Sequence, residues 1–139
     1  MDAAEFFNGV VKGNYEEFIR QPSSRRLLWN ATVSMNTVAE YVALDRLGYN
    51  QISRKELDET AKQIREDQPI LADLKYCAET FKHVRKIKDH PSLTAPFTTI
   101  ATSTGVSEHD MTAWKINQHD LVQVLDKAFN ALNALPELK

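Results

Sequence analysis

The sequence predicts a mainly α-helical bundle of about five helices, with a small β-hairpin ahead of the last one. Three observations carry this. Apolar residues recur at spacings of three and four through most of the 139 residues, the period of a helix buried on one face. Capping residues and breakers divide those runs, among them Asp2, Ser24, Gly48, Ser53, Pro69 and Pro136,. Between Ser92 and Asn117 the pattern gives way to threonine, proline and β-branched residues, which suit strands.

The first helix runs from Ala3 to Arg20, with Asp2 placed to cap it and Ala3, Phe7, Val10, Asn14 and Phe18 along one face,. Gly9 and Gly13 lower its propensity by about 1 kcal/mol each, which is read as tolerance or as room for a close helix crossing. Pro22-Ser23-Ser24 breaks and recaps the chain. A second helix from Arg25 to Leu47 follows, with Leu28, Ala31, Met35, Val38 and Val42 as its main stripe and Val33, Thr37, Tyr41 and Leu44 widening it. Apolar over so wide an arc, this helix belongs at the centre, and Gly48 is its natural stop.

Ser53 with Glu56 starts a third, strongly charged helix whose stripe is only Leu57, Ala61 and Ile64,. Pro69 suits the first turn of a fourth, with Asp67 as its cap, and Ile70, Leu74, Cys77, Phe81 and Val84 descend one face toward Lys88,. Pro91 disfavours helix just before it. Phe97 to Thr102 and Met111 to Ile116 read as two short strands of a hairpin, with a structured loop as the alternative,. Leu121, Leu125, Ala128, Leu132 and Leu135 then define a closing helix from about Asp120, ended by Pro136,.

With 42% hydrophobic residues, this length supports one core, so residues 1–139 are expected to form a single domain. No run approaches the ~20 apolar residues that span a bilayer, and the acidic start, Met1 to Glu5, is unlike a secretory signal. A lone cysteine, Cys77, suits a reducing compartment,. The expected location is the cytoplasm, without a membrane. Cys77 lies on an apolar face and is expected to be buried packing.

The formal net charge of −2 argues against a general nucleic-acid coat but leaves room for a local basic patch. That patch is Lys82-His83-Val84-Arg85-Lys86-Ile87-Lys88, closed by His90-Pro91. At 100° per residue, Asp73, Tyr76, Thr80 and His83 share one flank of the fourth helix. A carboxylate, a phenol and a hydroxyl there can orient an imidazole, which makes His83 a candidate acid or base. Lys75, Glu79, Lys82 and Lys86 form the other flank, a solvated charge stripe. The four histidines include no metal-binding pair, and four glycines provide no phosphate loop or dinucleotide signature,. No metal or cofactor is expected.

Arg25-Arg26 before Asn30-Ala31, with Ala78 to Lys86 ending in an aromatic-Lys-His-basic motif, resembles a group of small bacterial helical proteins over roughly residues 3 to 90. Arg85-Lys86-Ile87-Lys88-Asp89-His90 also resembles the motif of the HEPN superfamily, in which four to six residues separate an Arg from a His. Members of that superfamily are helical bundles that often dimerise and bind or cleave RNA. The resemblance implies metal-independent RNA cleavage, with His90 as general acid or base, Arg85 stabilising charge on the phosphate, and Lys82, Lys86 and Lys88 holding the backbone.

The residues themselves are compatible with two further roles. One is a binding or regulatory protein without catalysis, docking a protein partner through the basic and aromatic residues near Phe81. The other is a small-molecule sensor whose pocket uses Trp29, Tyr76 and Trp114. The wide apolar arc of the second helix can be core or the interface of a homodimer.

Overall fold

From the N-terminus the chain forms α1 (Ala3–Phe6), a π-helical turn (Phe7–Val11), α2 (Lys12–Arg20), α3 (Arg25–Leu47), α4 (Arg54–Asp67) and α5 (Ile70–His83). After these come β1 (Lys115–Ile116), β2 (His119–Asp120), α6 (Leu121–Asn133) and a 3-10 turn (Pro136–Leu138). This is a computed structural model, and it describes residues 1–83, 115–116 and 119–139. The architecture is a mainly α-helical bundle. No helix among the described residues is long and apolar enough to cross a membrane.

Caps set most of the boundaries. Asp2 accepts the Glu5 N–H at 2.8 Å while Glu5 accepts the Asp2 N–H at 2.9 Å, closing a capping box,. Ser24 accepts the Leu27 N–H and Ser53 the Glu56 N–H. Gly48 ends α3 in the left-handed region at φ 79°, where a residue without Cβ carries no penalty. Asp67, expected to cap α5, ends α4 and accepts from the Gln63 amide at 2.9 Å. At α6, Asp120 accepts from both Val122 and Gln123 N–H groups.

α3 lies at the centre and packs against α1, the π turn, α2, α4, α5 and α6. Its expected stripe of Leu28, Ala31, Met35, Val38 and Val42 is buried. The widening comes from Leu27, Thr32, Ala39 and Ala43, which are buried, whereas Val33, Thr37, Tyr41 and Leu44 are only partly covered. α5 and α6 also pack on each other, and Leu71, Leu74, Leu121, Leu125 and Leu132 complete the core.

The first helical face differs from expectation by one residue. A π turn carries one extra residue per turn, and here it brings Val11, in place of Val10, into the core beside Ala3, Phe7 and Phe18. Gly9 and Gly13 face open space, so they mark tolerance and no close crossing. The hairpin expected over residues 97–116 lies outside the described residues except for Lys115–Ile116. These two pair antiparallel with His119–Asp120, Lys115 opposite Asp120 and Ile116 opposite His119.

Cys77 is fully buried, and burial, then the charge of Asp73, pushes its thiol up to about 12. It is expected to react with a thiol reagent at least roughly a hundredfold more slowly in the folded protein than in denaturant; comparable rates would show that α5 opens readily. Val11→Ala is expected to cost about 2 kcal/mol in urea unfolding, and Val10→Ala less than half as much. The reverse order would restore an unbroken α-helical register.

Candidate functional site: a charged cleft around Arg65

The narrow stripe of α4 brings a charged residue into the protein. Ala61 and Ile64 are buried, and Arg65, four residues after Ala61, falls on the same side of the helix. Its side chain is carried inward until it is 8% exposed. There its Nη2 donates to the Asn36 backbone carbonyl and to the Asn36 side-chain oxygen, each at 3.3 Å, tying α4 to α3.

Two clefts are bordered by Arg65. One, of about 350 Å³, is lined by Glu40 of α3, by Arg54, Asp58, Ala61, Lys62 and Arg65 of α4, and by Lys75 and Glu79 of α5. The other, of about 330 Å³, is lined by Lys62, Arg65, Glu66, Pro69, Ala72 and Lys75. Lys62, Arg65 and Lys75 border both. The carboxylates face other cations. Arg54 takes Asp58 at 3.1 Å and Glu40 at 3.9 Å, while Lys75 meets Glu79 at 3.9 Å and Lys62 meets Glu66 at 3.9 Å.

No carboxylate among the described residues lies within ion-pair distance of Arg65, and its buried Nε has no hydrogen-bond partner. Burial therefore pulls its basicity below the ordinary arginine value, opposed in part by the more distant charges of Glu40, Glu79 and Asp58. A guanidinium in this position is a desolvated donor without a counter-ion.

The candidate residues of α5 are placed as follows. Asp73 and Tyr76 are half-buried. Tyr76 turns its ring toward His119, with centroids 5.5 Å apart, and so ties α5 to β2. Thr80 is buried, and its hydroxyl donates to the Tyr76 carbonyl at 2.8 Å, so this hydroxyl serves the helix backbone. Lys82 and His83 are the last residues of α5. Arg85, Lys86, Lys88, His90 and Trp114 lie outside the described residues. Trp29 of α3 is 41% exposed, and its ring centroid is 5.6 Å from that of Phe81.

Reading the sequence overlooked Arg65 because charge ordinarily marks a solvated face. The signal was its spacing of four from Ala61, which continues the apolar stripe with a long, partly apolar stem. Among the described residues, no group of three His, Cys, Asp or Glu side chains could hold a metal ion.

Comparison with family models, with curated proteins and with solved structures finds no match to this chain.

Arg65→Met keeps most of the stem and removes the unpaired charge, so it is expected to melt at or above the wild-type temperature. Arg65→Ala also removes the stem and is expected to lose about 2 kcal/mol. Equal losses in the two variants would mean that the guanidinium itself holds α4 to α3.

Proposed function

We propose that this chain is a cytoplasmic helical binding protein without catalysis, and that it docks an acidic surface of a protein partner. One observation carries the reading: the exposed ring of Trp29 lies against Phe81 at the end of α5, and the chain runs from Phe81 directly into the cationic run from Lys82 to Lys88. A tryptophan braced by a second ring loses little side-chain freedom on binding, and such residues dominate interface energetics. The cations that follow Phe81 in the sequence favour an acidic partner and speed its approach.

The same aromatic pair would serve single-stranded RNA as a stacking platform. That is the HEPN-like alternative, in which Arg85 and His90 act on the phosphate and Lys82, Lys86 and Lys88 hold the backbone. Both readings use the aromatic pair, so the histidine separates them.

Labelled single-stranded RNA incubated in EDTA with wild type, His83→Ala and His90→Ala is expected to be neither retained nor cleaved. Cleavage lost only in a histidine variant would replace the binding-protein reading with a metal-independent ribonuclease. For a protein partner identified by crosslinking, Trp29→Ala is expected to weaken binding roughly 30-fold, and reversing Lys82, Lys86 and Lys88 to glutamate to slow association. Affinity unchanged in both would set this docking surface aside.

A further inference from the structure

Beyond that docking surface, we propose that the groove between α4 and α5 is a binding site for a phosphate group, with Arg65 as its deep donor and Lys62 and Lys75 as its rim. On α3 it lies away from the aromatic pair, while on α5 its Glu79 is two residues from Phe81. Glu40, at the cleft, and Trp29 are about 16 Å apart along α3 at 1.5 Å per residue.

Three observations converge on this. Arg65 is a buried cation with no carboxylate among the described residues within ion-pair distance; Glu40, Asp58 and Glu79 lie nearer to Arg54 and Lys75. The Arg65 Nε is a buried donor without a hydrogen-bond partner, so the guanidinium is incompletely satisfied by Asn36,. Lys62, Arg65 and Lys75 border both clefts, and the second holds these three cations against Glu66 alone. A compact dianion is the ligand chemistry that meets three cations at once, and guanidinium donors match its oxygens.

The rim can respond at small cost. The Lys62–Glu66 and Lys75–Glu79 pairs are exposed contacts one helical turn apart, at the outer limit of ion-pair distance, and such pairs contribute only a few tenths of a kcal/mol. Either ammonium can leave its glutamate for a phosphate oxygen without disturbing the helices. The volumes leave room for more than a bare ion, so the phosphate is carried on a small organic stem in the size range of metabolite pockets.

The test titrates inorganic phosphate, glycerol phosphate and glycerol into isotope-labelled protein, with chloride holding the ionic strength constant. The amides of α4 and α5 and the Arg65 Nε–H are followed by NMR, the last assigned by its absence in Arg65→Met. A Lys62→Gln/Lys75→Gln double variant serves as the control, because both side chains are largely outside the core and its melt in chloride is expected to match wild type.

Saturable shifts with glycerol phosphate, tighter than with inorganic phosphate and absent with glycerol, are expected. Affinity should be at least about tenfold weaker in the double variant, as fits the loss of two charge-assisted contacts. Inorganic phosphate binding as tightly as the ester would overturn the organic stem. Shifts that never saturate, or equal affinity in the double variant, would overturn the site, since the general stabilising effect of phosphate on proteins is neither saturable nor local.

Discussion

Burial of α3 is the constraint on which the rest of this molecule depends. Its apolar residues are spread over too wide an arc for any one neighbour to cover. Leu27, Leu28, Ala31, Met35, Val38, Ala39, Val42 and Ala43 are all shielded from solvent. Each large apolar side chain among them contributes about 1.5–3 kcal/mol only once it is covered. α1 and α2 cover part of the arc, and α4, α5 and α6 the remainder. Ser24 and the left-handed Gly48 fix the two ends of α3, and so set where the chain must turn back.

The end of α3 near Gly48 shows how such a turn is secured. Tyr49 and Gln51 both have positive φ, 62° and 44°, a conformation that is costly for residues with a Cβ. The Tyr49 hydroxyl donates to Asp45, and the other Asp45 oxygen accepts the Ala3 N–H at 3.1 Å. One carboxylate thereby joins the strained connection to the start of α1. Next to it, Arg46 Nε meets Glu137 at 2.6 Å and holds the C-terminal turn, keeping the Glu137 carboxyl below the usual range. The two chain ends and the α3–α4 connection are gathered at one end of the bundle.

α4 is the helix least suited to cover a core, and that mismatch creates the charged cleft. Its apolar stripe is narrow, so its contact with α3 is completed only by drawing in the stem of Arg65. The guanidinium comes with the stem. Around it the glutamates and aspartate of three helices are matched to arginine and lysine side chains at the rim, and the innermost cation is left to Asn36 alone. Packing thus places an unneutralised charge in a groove, which is the physical opening for an anionic ligand.

Helix existence, most caps and the central place of α3 were legible in the sequence, because period, cap chemistry and Gly48 are local properties of the chain. The basic run after Phe81 lies outside the described residues beyond His83. Tertiary structure alone decided three matters. The π turn exchanged Val10 for Val11, since the fit of a helix against its neighbours selects between registers one residue apart. It gave Tyr76 to His119 and the Thr80 hydroxyl to the backbone, since a side chain bonds whatever its neighbours bring within reach. It buried Arg65, a residue that the sequence marked only by a charge and a spacing of four, because the space beneath α3 had to be filled by whichever stem α4 could supply.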